Sequence, residues 1–322
     1  MADPLPEPVA PAAPSRRARV LTIVKIVVGV AAVALLVAGV ASQWDEVTAA
    51  LARLDAPTTA VAVVATLVAL VANMFSWRAV MQALGLHTTR RAAASIFFVG
   101  QLGKYLPGGV WSIAAQAELG RAHGLARGPS AVAALTSMVI GIVGAAVVGV
   151  LGLVLSSPDG LRQYWWLAVL ALVGLVSLAP PVLGRLVGLA WRLLRRPTVE
   201  VRPTWAGIGR SLAWSVGMWV AYGVQATVVL QAFGATSGLL WVIATAAYAT
   251  AWLVGFLVLV APAGLGAREG VLVVLLAGVT TTGGALGLAV LSRALMTLGD
   301  VLLAGLGLAL EARRRRRAAP RG

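Results

Sequence analysis

The sequence has no cysteine and only two histidines, and charged side chains make up just 11% of its 322 residues. Without cysteine, a disulfide framework and thiol chemistry are both excluded. His87 and His123 each stand near an arginine at the predicted end of a helix, and neither has the neighbouring ligands of a metal site. There is also no nucleotide-binding loop, so we predict that this chain does not use ATP. We therefore expect no metal, no cofactor, no catalytic residue and no enzymatic activity.

A charge content this low also excludes an ordinary soluble domain, in which about 25% of residues are charged. Instead, 60% of the residues are hydrophobic, the mean hydropathy is +0.91, and several apolar runs exceed the ~20 residues needed to span a bilayer. The net charge of +15 is compatible with nucleic acid, but in a membrane protein Lys and Arg mark cytoplasmic loops and meet anionic headgroups. The sequence predicts an all-α, polytopic integral membrane bundle whose partners are membrane lipids and not nucleic acid.

The apolar runs predict about six full spans within one transmembrane domain, residues 20–311. Two basic cytoplasmic tails, 1–19 and 312–322, flank this domain. The predicted spans lie at about Val20–Ser42, Pro57–Trp77, Pro129–Leu155, Gln163–Leu183, Ser211–Phe233 and Ala285–Leu310, and residues 184–196 fit an amphipathic surface helix. This topology places almost every cation on the cytoplasmic side and leaves only Arg53 and Arg162 outside, as the positive-inside rule requires of a cell-membrane protein.

Two further apolar segments are interrupted by charges and by helix-breaking residues. The first, Gly100–Arg121, contains Lys104, Pro107, Gly108, Gly109, Glu118 and Arg121. The second, Ala261–Gly270, contains Pro262, Gly264, Gly266, Arg268 and Glu269. Proline and glycine end or kink helices, and freed backbone groups at membrane depth must line a cavity or be satisfied by protein. Each segment predicts a broken helical hairpin that re-enters the membrane. The alternatives are a cytoplasmic loop for the first segment and full spans in place of both hairpins.

The order of the predicted elements repeats in the two halves of the domain, at about 20–160 and 161–311. Each half has two spans, a broken hairpin and a further span, but the halves have opposite orientations in the membrane. The first hairpin then enters from the cytoplasm and the second from outside. Corresponding helix breaks in two inverted halves indicate a transport site at the interface of the repeats.

Five ionisable residues fall inside the predicted membrane region: Lys104, Arg268, Glu269, Arg293 and Asp300. Each costs roughly 2.5–3.5 kcal/mol at the bilayer centre on insertion scales, so each needs a partner or a function. Arg293 and Asp300 are seven residues apart, which is roughly 10 Å along a helix, and they should therefore reach other elements. We suggest Lys104 as the partner of Asp300 and Glu269 as the partner of Arg293.

The same charges have a functional and a structural interpretation. In the functional one they line a polar cavity at the midplane, where cations and the positive ends of the half-helices near Val110 and Ala267 hold a phosphate headgroup. In the structural one they are ion pairs that only fix the hairpins. Glu118 and Arg121 lie nearer the surface, and their i,i+3 spacing predicts a local ion pair.

The motif GQLGKYLPGG at residues 100–109, with Glu118 and Arg121, and the motif PAGLGAREG at 262–270 resemble the lysylphosphatidylglycerol synthase transmembrane family over about residues 20–310. The resemblance implies a flippase-like domain, which in the synthases moves an aminoacylated phospholipid between leaflets. Residues matching the family's motifs are Lys104, Pro107, Gly108, Gly109, Glu118, Arg121, Pro262, Gly264, Gly266 and Glu269, whereas Ala263 departs from the Pro/Gly-rich pattern. No soluble aminoacyl-transferase domain follows, so we expect a stand-alone member that does not transfer lysine.

Three functions are compatible with these features. The first is a flippase or transporter for a phospholipid or polyprenyl-linked lipid, with an anionic headgroup in the midplane site. The second is a membrane scaffold or accessory subunit that docks a lipid- or glycan-modifying enzyme on its basic cytoplasmic face. The third is a polyprenyl-phosphate-dependent transferase, which would need a carboxylate pair at a membrane face; Asp45, Glu46 and Asp55 lie in one short loop without further ligands.

Overall fold

The computed structural model of the protein describes residues 44–106, 110–156, 160–193, 203–257 and 266–318. Within these ranges the chain is helical and contains no strand, which confirms the all-α prediction. The helices are α1 (Trp44–Leu51), α2 (Ala56–Ala83), α3 (Arg90–Gln101), α4 (Trp111–Arg121), α5 (Arg127–Ser156), α6 (Gly160–Gln163), α7 (Trp165–Leu178), α8 (Pro180–Leu193), α9 (Trp205–Ala232), α10 (Leu240–Leu257), α11 (Ala267–Leu276) and α12 (Thr282–Ala318). A 3-10 turn, Leu102–Tyr105, follows α3.

Five of the described helices, α2, α5, α9, α10 and α12, are long and apolar enough to cross a membrane. Four of them coincide with predicted spans and extend those spans by a few residues. The first predicted span, Val20–Ser42, lies outside the described residues. Large apolar side chains on the outside of the bundle are exposed, including Leu172, Val274 and Leu298, as expected of surfaces that face lipid chains. The protein is a multi-pass membrane protein.

The fourth span differs from its predicted bounds, Gln163–Leu183. Helix α7 ends at Leu178, and α8 leaves it at an angle of 83°. The cause is the pair Pro180-Pro181, because proline lacks the helical N–H and moves the preceding residue, Ala179, out of the helical region (ψ 127°). The predicted surface helix therefore begins at Pro180, and the part of that prediction beyond Leu193 lies outside the described residues.

The bundle has a basic end and an opposite end. The basic end carries Arg78, Arg90, Arg91, Arg121, Arg127 and Arg210. There the start of α9 packs against the end of α2, with Gly207 against Ala83, and His123 pairs with Glu311 of α12 at 3.3 Å. At the opposite end, the Arg53 guanidinium lies 5.4 Å from the ring centre of Phe233, which also contacts Gly284 at the start of α12. The two ends of α12 therefore mark the two faces of the bundle.

Contacts between the helices follow the predicted repeat. Helices α2 and α9, which hold the same place in the two halves, form the most extensive pair in the described part of the chain. The hydroxyls of Ser76 and Ser211 each donate a hydrogen bond to the other's carbonyl oxygen at 2.9 Å. Helix α12 packs on α3, and in the same way α5 packs on α10. Each half thus contacts the interrupted segment of the other, as the inverted arrangement predicts.

Side-chain caps fix where the long helices begin. Asp55 accepts a hydrogen bond from the Thr58 N–H at the start of α2, and Thr204 accepts one from the Gly207 N–H at the start of α9. The hydrogen bonds from Thr58 hold the pKa of the Asp55 carboxyl below its usual value. A depressed pKa in the folded state means that this contribution to stability is present above the unfolded pKa and is lost as the pH falls through the folded one.

Candidate functional site

The first interrupted segment folds back on itself. Helices α3 and α4 have 12 and 11 residues, or roughly 17 Å each, which is too short to cross a bilayer core of about 30 Å. They pack against each other in antiparallel fashion. Gly100 contacts Gln116, and nearer the tip a Cβ on Gly103 would lie 2.6 Å from the Ser112 nitrogen. Since α3 begins and α4 ends at the basic end, the first segment forms a helical hairpin, as predicted. Its predicted tip residues, Pro107, Gly108 and Gly109, lie outside the described residues.

The second interrupted segment also returns to the end from which it starts. Gly255 of α10 contacts Arg268 of α11, and the turn after α11 reaches Gly284, which lies against Phe233 at the opposite end. Its arms are unequal, because α10 has 18 residues and is one of the five candidate spans, whereas α11 has 10. The predicted residues Pro262 and Gly264 lie outside the described residues. We refer to α3–α4 as the first hairpin and to α10–α11 as the second hairpin.

Gly266 begins the short arm of the second hairpin and is glycine for a conformational reason. Its φ of +85° lies in the region that side chains disfavour. The Gly266 N–H donates a hydrogen bond to Glu269 Oε2 at 2.8 Å, so the carboxylate caps the N-terminus of α11. Glu269 is thereby held facing the residues of α12.

Both hairpins meet α12 near the middle of its length. The second hairpin contacts Ser292 and Arg293, and the 3-10 turn of the first hairpin contacts Thr297 and Asp300. At 1.5 Å per residue, Arg293 is roughly 14 Å from Gly284 at the opposite end, and Asp300 is roughly 16 Å from Glu311 at the basic end. The charged residues that flank the two interruptions, Lys104 in one hairpin and Arg268 and Glu269 in the other, are therefore brought together near the middle of α12, the depth expected for the bilayer midplane.

Asp300 is the centre of the first group of charges. Its side chain is only 2% exposed, and Oδ2 lies 2.5 Å from Lys104 Nζ and accepts a hydrogen bond from the Tyr105 hydroxyl at 2.7 Å. The same hydroxyl lies 3.3 Å from Thr297 Oγ1. The predicted pairing of Lys104 with Asp300 is confirmed. Sequence reasoning did not find Tyr105, because a lone tyrosine in an apolar segment gives no signal of its role.

The second group contains two arginines and one carboxylate. Arg293 Nη2 lies 3.0 Å from Glu269 Oε1, which confirms the other predicted pair. Arg268 points elsewhere, as its neighbouring position on the helix predicts: Nη2 donates to Ser292 Oγ at 2.8 Å, and the guanidinium lies 4.9 Å from the centre of the Tyr248 ring. Tyr248 in turn stacks on Tyr222 of α9 at 5.3 Å. Neither tyrosine nor Ser292 was found from the sequence.

The structure leaves two of the candidate residues outside this group. Glu118 and Arg121 lie at the basic end and form the predicted local ion pair at 3.3 Å, and Glu118 also pairs with Arg127 at the start of α5 at 2.5 Å. These contacts connect the returning arm of the first hairpin to the span that follows it. We define the midplane cluster as Lys104, Arg268, Glu269, Arg293 and Asp300.

The side chains of the midplane cluster differ in how far they are exposed. Lys104, Glu269 and Arg293 are 28%, 21% and 19% exposed, whereas Arg268 and Asp300 are 5% and 2% exposed. A cavity of about 760 Å³ lies elsewhere, along α8 at the basic end, and is lined by Arg185, Arg192 and Pro203.

Comparison with known proteins identifies the family. The family model described as the lysylphosphatidylglycerol synthase TM region matches residues 22–304 of the 322-residue chain. No curated protein matched the sequence. The chain belongs to the lysylphosphatidylglycerol synthase transmembrane family, which confirms the resemblance seen in its two motifs and associates this membrane protein with lipid handling.

Proposed function

We propose that this member of the family moves a phosphate-bearing lipid, a phospholipid or a polyprenyl-linked lipid, between the leaflets of the cell membrane. We also propose that its termini lie in the cytoplasm and that it carries out no chemical reaction. The observation that carries the proposal is the meeting of two hairpins, one from each end of the bundle, at the charged cluster halfway along α12.

A charged cluster between two hairpins suits the task of a flippase, which is to move a polar headgroup across the hydrocarbon. Moving a polar lipid headgroup to the bilayer centre costs free energy, whereas the apolar acyl or prenyl chains of the same lipid are stable in the hydrocarbon. Cationic side chains at the midplane offset that cost by binding the phosphate, and the apolar outside of the bundle accommodates the chains. Because each hairpin opens toward a different end, movement of one hairpin exposes the cluster to one side at a time, which is the general form of alternating access.

Lipid movement in reconstituted liposomes tests the proposal. Phospholipids and polyprenyl-linked lipids are labelled on an acyl or prenyl chain, and a membrane-impermeant reductant quenches the outer leaflet. Without movement about half of the label survives, because two leaflets share it; with active protein we expect quenching well beyond half for at least one lipid. Arg293→Gln should abolish the extra quenching, because it removes a midplane cation. Arg210→Gln is the matched control, since this arginine is exposed at the start of α9.

The proposal fails if folded, monodisperse protein moves none of these lipids, or if Arg293→Gln moves them at the wild-type rate. The competing function is a scaffold that docks an enzyme on the exposed arginines of the basic end. Copurification of a cytoplasmic enzyme, unchanged when Lys104, Arg268 and Arg293 are neutralised, would favour it. A transferase is less favoured, because both carboxylates of the midplane cluster are already held by cations.

A further inference from the structure

The midplane cluster has one more positive than negative charge. Lys104 pairs with Asp300 and Arg293 pairs with Glu269, which leaves Arg268 without a carboxylate among the described residues. The two hairpin tips outside the described residues, 107–109 and 258–265, contain no ionisable side chain in the sequence. Among the described residues, three cations against two carboxylates give the cluster a net charge of +1.

The unpaired cation is buried and is built into the site. Arg268 is 5% exposed, and its contacts among the described residues are the neutral Ser292 hydroxyl and the face of the Tyr248 ring. Its Nε has no hydrogen-bond partner there. Arginine stays charged in proteins, so the site cannot remove this charge by losing a proton. A buried charge without a counter-ion is destabilising, and an anion that arrives in the site relieves that cost.

We propose that the midplane cluster selects a lipid whose headgroup is a phosphodiester of net charge −1, held by Arg268 together with Arg293. This inference rests on the proposed function and adds the charge class of the lipid. Arg268 Nη2 donates to the hydroxyl of Ser292, the residue next to Arg293 on α12, and planar guanidinium groups bind phosphate oxygens in a bidentate way. One phosphodiester brings the site to neutrality, with both existing ion pairs intact.

Other headgroup classes leave the buried site charged. A zwitterionic headgroup brings its own cation and leaves the excess of +1. A headgroup with an added aminoacyl ammonium increases the excess. A phosphomonoester carries about −1.5 to −2 at neutral pH, because its second pKa is about 6, and so reverses the sign. The wild-type protein should therefore rank lipids by charge with an optimum at −1.

The test measures binding in detergent with four lipids that share the same acyl chains: phosphatidylglycerol, phosphatidylcholine, phosphatidic acid and an aminoacylated phosphatidylglycerol. We expect phosphatidylglycerol to bind most tightly at pH 8, and phosphatidic acid to gain affinity as the pH falls to 5 and its charge approaches −1. Arg268→Gln should weaken phosphatidylglycerol binding by about 10-fold or more. Arg268→Lys should retain much of it, and Arg210→Gln should change nothing.

A variant with the opposite change in charge guards against loss of folding. Asp300→Asn raises the net charge of the cluster to +2, and we expect it to prefer phosphatidic acid over phosphatidylglycerol at pH 8. A misfolded protein cannot show a gain of this kind. Equal binding of all four lipids to the wild type, unchanged preference in Arg268→Gln, or no shift in Asp300→Asn would each overturn the inference.

The same proteins in the liposome assay separate this inference from the proposed function. Lipid movement without charge preference would refute the charge selection and leave the flippase function standing. Charge-selective binding without any lipid movement would refute the flippase function and leave the anion site standing.

Discussion

At the scale of single residues, the two partners in the Lys104–Asp300 pair are not equivalent. The Asp300 side chain is 2% exposed and the Lys104 side chain is 28% exposed. Removal of one partner from a buried pair costs more than the pair itself contributes, because the remaining charge is left without compensation. The cost therefore depends on which of the two is left behind.

Lys104→Gln leaves the buried carboxylate with the Tyr105 hydroxyl as its remaining hydrogen-bond donor among the described residues. We expect this variant to lower the free energy of unfolding by about 3 kcal/mol. Asp300→Asn should cost only about 1 kcal/mol, because the ammonium that is left is less buried and lies 5.3 Å from the centre of the Tyr105 ring, and asparagine still accepts from Tyr105. The double variant should recover most of the loss. Unfolding in mixed micelles measures all four proteins, and equal losses in the two single variants would contradict the burial described for Asp300.

The sequence predicts the contacts of the charged residues in the cluster better than those of the neutral ones. Charged residues at membrane depth must find partners, so spacing and sign suggested the two ion pairs, but they did not by themselves decide which cation meets which carboxylate. Tyr105, Tyr248 and Ser292 are neutral and occur commonly in membrane helices, and their roles depend on how α10, α11 and α12 pack. How these helices pack is a tertiary property, and a local sequence pattern does not predict it.

At the scale of elements, the first hairpin closes because one residue has no side chain. A Cβ on Gly103 would lie 2.6 Å from the Ser112 nitrogen and 2.7 Å from the Trp111 carbonyl carbon, and both are backbone atoms that cannot rotate away. The 3-10 turn that carries Lys104 and Tyr105 is therefore held directly against the start of α4.

Gly103→Ala should open the tip of the first hairpin and lower stability by about 1–3 kcal/mol, the usual cost of overpacking. It should also weaken lipid movement, since Lys104 is the next residue along the chain. Gly141→Ala is the matched control, because nothing lies within 4 Å of a Cβ at that position on α5. Thermal unfolding in detergent compares the two. Equal melting temperatures would show that α3 and α4 do not approach as closely as described.

The helices also show where sequence periodicity and composition are insufficient to predict the structure. The hairpins followed from charges and helix breakers inside apolar runs, and the caps of α2 and α9 lie within seven residues of the predicted ends. The bend after α7 was missed although Pro180-Pro181 signals it, because the apolar run continues through the prolines to Leu183.

At the scale of the whole molecule, the two halves exchange contacts. Helix α12 of the second half packs on the first hairpin, and α5 of the first half packs on the second hairpin. The midplane cluster consequently joins residues of both hairpins to Arg293 and Asp300 of the single helix α12. In the alternating access that we propose, movement of either hairpin would break one ion pair on α12 and leave the other closed, so that the site opens to one side at a time.

The central claim is that two hairpins enter from opposite sides and meet at one midplane site. The chain has no cysteine, so single cysteines at Val110 and Ala267 can report the two tips without any other substitution. Val110 begins the returning arm of the first hairpin and is 60% exposed, and Ala267 begins the short arm of the second. A membrane-impermeant thiol reagent is applied to intact cells and to inverted vesicles. We predict that Val110→Cys reacts faster from the cytoplasmic side and Ala267→Cys faster from the external side; faster reaction of both from the same side would contradict the inverted arrangement.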